Sequence, residues 1–322
     1  MSQDEQRGNP ILHLSGLILG AVYRGRLFPK KCRQRVAIPD PVCGSVRDEV
    51  LRELHVVKYL SHEQQARVVV DKKLFVYVHG RARSASASFR RTRDGKPGTV
   101  ETLLKFGTVF GVNLPGYGES VLTDGNVRNA EVDTMRAAMV LAAFVREQAH
   151  SRGIKVKDVI IVGFSIGMYL SIRTAIELGE ASIILLSPPS DLESVMCSVG
   201  GYSLAWLPKF AARYAYPPGK KVSLDDGRSQ NTVGYSGVKL LSMYGSSING
   251  RLAIFRADED DIIPRNAGIL LQEAFEASAE KSPGSATLRT MEGTGHDAVP
   301  THKELESLFQ QWGIGPVSDE KV

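Results

Sequence analysis

Apolar residues along the chain gather into short unbroken runs, separated by longer stretches in which they recur every three or four positions. LFVYVHG (74–80), TVFGVNLPGYG (108–118), VIIVGFS (159–165), ASIILLSPPSDL (181–192), LAIFRAD (252–258) and ATLRTM (286–291) read as strands, the first two closed by Gly or Pro turn signals. Between them, 130–151 carries a mostly apolar stripe through Met135, Met139, Ala142 and Val145 or Arg146, and 166–178, 267–280 and 303–312 read as further helices. Continuously apolar strands alternating with helices predict an α/β fold, with a mostly parallel central sheet flanked by helices on both faces. Upstream, VAIPD (36–40) and ARVVVD (66–71) predict antiparallel strands at the edge of that sheet.

The alternation lapses between 190 and 250, in a segment rich in Gly, Ser, Tyr and Lys that contains YSLAWLPKFAARYAYPPGKK. An insertion outside the sheet is the simplest reading. The expected organisation is an N-terminal extension (1–35), a core made of 36–189 and 251–322, and a small cap (190–250). Tyr202, Trp206, Phe210, Tyr214 and Tyr216 either roof a pocket or fasten the insertion to the body.

A hydrophobic content of 43% over 322 residues suffices for a sizeable core. The formal net charge of +5 is spread through the chain, with basic residues denser at 24–35 and 81–93 and no nucleic-acid motif. Cys32, Cys43 and Cys197 have neither metal-ligand spacing nor a paired framework, so a reducing, cytoplasmic setting is expected. Asp4 and Glu5 stand where a secretory signal carries positive charge, and the apolar run 11–22 is too short to span a bilayer. That run places Ile11, Leu14, Ile18 and Ala21 or Val22 at helical spacing ahead of RGRLFPKKCRQR, a pattern that serves equally for peripheral membrane contact or for core packing.

Candidate chemistry changes the picture most. In VGFSIGM (162–168), Ser165 stands between Gly163 and Gly167 directly after an apolar run, as where a strand turns sharply into a helix. In an open α/β sheet, ligands bind at the carboxyl ends of the strands. Those ends carry His79-Gly80-Arg81, NLPGYGES (113–120), Ser165, ADEDDIIP (257–264) and EGTGHD (292–297): a serine, then carboxylates, then a histidine. A serine hydroxyl needs a base to take its proton, and the imidazole needs a carboxylate to orient it and to stabilise the imidazolium. His79 reads as a structural histidine within its own turn, and no HExxH, CxxC pair or P-loop points to a metal or cofactor.

With these residues in hand, the chain resembles the α/β-hydrolase superfamily over roughly 36–313, through GFSIG, VHG, NLPGYGES, ADEDDIIP and GTGH. The resemblance implies Ser165 as nucleophile, His296 as base and Asp260 as acid, four residues before Pro264, with Asp258 and Asp261 as competitors for that place. It also implies the backbone N–H groups of Ile166 and Arg81 as oxyanion donors. The implied activity is a serine hydrolase that cleaves a carboxylic ester or thioester of a small or lipid-like acyl compound through an acyl-enzyme. The turn and cap look similar to monoacyl-lipid lipases, protein thioesterases and serine aminopeptidases. An acyltransferase, perhydrolase or lyase uses the same three residues, and a catalytically silent module docking through the N-terminal segment is the alternative outside enzymes. Arg81 and Arg83 depart from the family pattern and either favour an anionic substrate group or point outwards.

Overall fold

The computed structural model describes residues 54, 56–59, 73–80, 98–115, 120, 130–195, 218–224, 226–278, 285–292, 294–296 and 299–316. Its strands are β1 (Val56–Tyr59), β2 (Leu74–Val78), β3 (Thr108–Val112), β4 (Val159–Phe164), β5 (Ser182–Leu186), β6 (Lys221–Ser223), β7 (Ser229–Asn231), β8 (Leu252–Ala257) and β9 (Ala286–Met291). Its helices are α1 (Thr99–Leu103), α2 (Ala130–Ser151), α3 (Met168–Leu178), α4 (Gly237–Tyr244), α5 (Ala267–Ala277) and α6 (His302–Gln311). The main sheet runs β1-β3-β2-β4-β5-β8-β9, parallel throughout except for β1, which pairs antiparallel with β3.

Side-chain alternation explains why the central strands are apolar at every position. In β2, Phe75 and Tyr77 face a layer containing Leu103 of α1 and Leu305 and Phe309 of α6, while Leu74, Val76 and Val78 face Leu141 and Val145 of α2. The same α2 side of the sheet continues past α3, where Met168 and Ile172 pack with Ile183, Leu185, Leu271 and Phe275. Both faces are therefore buried. No helix among the described residues is long and apolar enough to cross a membrane.

The strands expected at VAIPD and ARVVVD, the extension 1–35, all three cysteines and the aromatic residues at 202–216 lie outside the described residues. The antiparallel edge strand seen here is VVKY at 56–59, too short for its alternation to stand out. The segment expected as a cap divides. Its helix α4 lies in the sheet's own flanking layer, because Leu240 and Leu241 are buried against Met168, Ile172 and Leu271. The β6/β7 hairpin packs differently, resting Val222 and Leu224 on Val132 and Met135 of α2.

A buried ion pair fastens the return limb of that segment. Glu131 Oε1 accepts from Val233 N at 2.7 Å and from Arg173 at 3.3 Å, while Oε2 accepts from Gly234 N at 2.9 Å. Arg173 also donates to Gln230 at 2.6 Å and lies over the Tyr244 ring. Burial pushes the Arg173 guanidinium below its usual value, and the Glu131 carboxylate opposes that shift.

Candidate active site

The turn after β4 is built by close approach. A Cβ at Gly167 would lie 2.5 Å from the carbonyl oxygen of His79 and 2.6 Å from that of Val78. One at Gly163 would lie 2.5 Å from Ser171 Oγ and 2.9 Å from Met168 Cα. The atoms in the way are the end of β2 at Gly167 and the first turn of α3 at Gly163, so both glycines are steric requirements. Between them Ser165 takes φ +50°, the left-handed region that L-residues with a Cβ rarely occupy. The helix expected from 166 begins as a single 3₁₀ turn over Ser165–Gly167, and regular α-helix starts at Met168. The tight turn lifts the serine side chain off the strand end.

Across the carboxyl edge, Ser165 Oγ lies 3.0 Å from His296 Nε2, and His296 Nδ1 lies 2.9 Å from Asp260 Oδ2. The Asp260 side chain is 4% exposed and that of His296 13%, so the pair is largely shielded from water. Asp260 Oδ1 accepts from the backbone N–H groups of Ile262 at 2.9 Å and Ile263 at 2.8 Å, which fixes the carboxylate through its own turn. Burial alone would raise this carboxyl's pKa, but the His296 hydrogen bond and the two backbone donors outweigh it and hold the group below its ordinary value of 3.8.

The two competing carboxylates have other places. Asp258 Oδ1 accepts from Thr294 N at 3.1 Å, and Glu259 N donates to Thr294 O at 3.0 Å. These bonds zip the loop after β8 to the loop after β9 and thereby set where His296 stands. Asp261 is exposed. Sequence reasoning passed over Thr294, whose role depends on two strand ends meeting; its position two residues before the histidine was the available signal.

His79 is fully buried, and its Nε2 accepts from Leu114 N at 3.2 Å. Nδ1, 2.6 Å from Gly80 O, therefore carries the proton and donates it to that carbonyl. The ring ties the end of β2 to the end of β3, the structural part expected for it. Ile166 follows the serine and is half-buried between the apolar layers on the α2 side. Arg81, Arg83 and residues 116–119 lie outside the described residues. Among the described residues, no group of three or more His, Cys, Asp or Glu side chains is arranged to hold a metal ion.

This geometry gives a pH prediction with a definite sign. A carboxyl whose folded pKa is depressed contributes stability that is complete above the unfolded value, near 3.8, and is lost as pH falls through the lower folded value. Urea midpoints of wild type and Asp260→Asn measured from about pH 6 down to about pH 2 are expected to converge on acidification. Parallel curves would contradict a depressed carboxyl at this position.

No protein-family model matches the chain. A search of curated proteins likewise returns no match. Solved structures do match. Esterase 2 of Thermogutta terrifontis, phosphonylated by sarin, aligns with TM-score 0.55 and 14% identity over 90% of this chain and 99% of its own. A puromycin-hydrolyzing peptidase of Mycobacterium tuberculosis aligns with TM-score 0.52 and 17% identity over 84% of this chain and 39% of its own. An esterase of Pyrococcus furiosus aligns with TM-score 0.51 and 17% identity over 81% of this chain and 87% of its own. Identities this low speak to architecture alone, and together with the six parallel strands and the turn at Ser165 they identify the architecture as the α/β-hydrolase fold.

Proposed function

We propose that this protein is a serine hydrolase that cleaves a carboxylic ester or thioester through an acyl-enzyme. The observation that carries the reading is the continuous relay from Ser165 Oγ to His296 Nε2 at 3.0 Å and from His296 Nδ1 to Asp260 Oδ2 at 2.9 Å. In this reading His296 takes the hydroxyl proton as Oγ attacks the acyl carbon, then returns it to the leaving group. Asp260 holds the imidazole with Nε2 facing the serine and stabilises the imidazolium. The tetrahedral oxyanion is held by the backbone N–H of Ile166 and, from the loop after β2, of Arg81. Water then enters on the same base and releases the acid. A small-molecule or lipid-like acyl compound is the proposed substrate class, with residues of the 190–250 insertion over the acyl site and peripheral membrane contact through the N-terminal segment 1–35.

A fluorophosphonate probe tests the assignment, and the neighbour phosphonylated by sarin makes phosphorus electrophiles the natural choice. Wild type is expected to label at Ser165, while Ser165→Ala and His296→Ala are expected to stay unlabelled at equal fold stability. A folded wild type that fails to label, or a label on another serine, would remove the reading.

A further inference from the structure

Among the described residues two serines adopt left-handed backbone, and they are neighbours. Phe164 pairs with Leu186 across β4 and β5, so Ser165 and Ser187 are the next residues along adjacent strands, with φ +50° and +44°. On its other side Leu186 pairs with Phe255 of β8, and Ser187 N donates to Phe255 O at 2.7 Å. Ser187 thus stands between the strand end that presents Ser165 and the strand end that leads to Asp260.

Its hydroxyl is conspicuous chemically. Ser187 is 1% exposed, and its Oγ has no hydrogen-bond partner among the described residues. A buried hydroxyl without a partner costs free energy, and a left-handed serine adds backbone strain to that cost. Ser187 also lines a small recess shared with Asp260, Ala257, Ile263 and Pro264 and with the charged Arg256 and Arg265, with room for about one water molecule. Asp260 itself has acceptor capacity to spare. A carboxylate offers about four acceptor sites. Ile262 N, Ile263 N and His296 Nδ1 occupy three of them.

We propose that Ser187 is a positioning residue for the acid: its hydroxyl, through one water held in the recess, completes the hydrogen bonding of the Asp260 carboxylate and sets its angle to His296. The proposal rests on the reading of Asp260 as the acid that orients His296. The water accepts from Ser187 Oγ–H and donates to Asp260, so each group gains the partner it lacks.

The test compares Ser187→Ala, which removes the hydroxyl, with Ser187→Gly, which removes it and also relieves the backbone strain. Both full-length variants are expected to lose about tenfold in kcat with KM unchanged. The acid limb of the pH–rate profile is expected to move to higher pH, because a carboxylate with one donor fewer attracts the imidazolium more strongly. The glycine variant should melt no lower than wild type. Proton NMR supplies a readout that does not need turnover: the low-field resonance of the His296 Nδ1 proton is expected to shift in both variants. If Ser187→Gly keeps wild-type kcat, or if neither variant moves the resonance, the hydroxyl does not act on Asp260 and the proposal falls. Absence of turnover in wild type would instead sink the hydrolase reading, while the resonance would still decide the part played by Ser187.

Discussion

Ser165→Ala is expected to lower kcat by about a million-fold, and His296→Ala by nearly as much, with the double variant no slower than either alone. In the proposed reading nucleophile and base act as one unit, the hydroxyl losing its proton across the 3.0 Å contact from Ser165 Oγ to His296 Nε2. Once either partner is gone, the other has nothing to do, so their losses overlap instead of adding. Ser165→Ala also relaxes a φ of +50° only slightly, since alanine keeps the Cβ, so its fold should survive. Steady-state hydrolysis of an activated short-chain ester, with melting temperatures alongside, provides the measurement. Independent, multiplying losses for Ser165→Ala and His296→Ala would mean that they do not act on the same proton.

The second large effect is on stability. Glu131→Ala is expected to cost about 3–5 kcal/mol, because it leaves the Arg173 guanidinium buried without its counter-charge and strips two backbone donors of their acceptor. Side-chain exposures of 6% and 7% for Arg173 and Glu131 put the pair beyond the reach of water, which would otherwise screen the loss. Val233 N and Gly234 N, at 2.7 and 2.9 Å from the carboxylate, would be released with it. Those amides lead into Tyr235, held at φ +52° with its hydroxyl 2.7 Å from Thr134 Oγ1, so the damage should spread to the start of α4. The double variant Glu131→Leu with Arg173→Met is expected to recover part of the loss, since it removes both charges together. Chemical denaturation measures each variant, and a single-site loss under about 1 kcal/mol would show that the pair is not buried in solution.

Local patterning carries a long way in this chain. The sequence by itself determined the helix at 130–151 and the strands at 74–78, 159–164 and 286–291, because each shows its signal, a helical stripe or a short β-rich run, within its own residues. It also determined the order serine, carboxylates, histidine at successive strand ends, since those turns follow directly from where apolar runs stop. It did not separate Asp258, Asp260 and Asp261. Three aspartates within four residues are chemically alike, and only the meeting of the loops after β8 and β9 turns Asp260 toward His296, Asp258 toward Thr294 and Asp261 toward solvent. The reason for Gly167 was likewise hidden, because the carbonyls that exclude a side chain there belong to Val78 and His79, nearly ninety residues earlier. Helix α4 lay concealed in a Gly- and Ser-rich stretch, with burial of Leu240 and Leu241 deciding what weak local preference left open. The contact of Glu131 with Arg173 and the recess shared by Ser187 and Asp260 join residues 42 and 73 positions apart. A period of two or 3.6 residues carries no information at that range, so such pairs exist only once the sheet has brought its strand ends together.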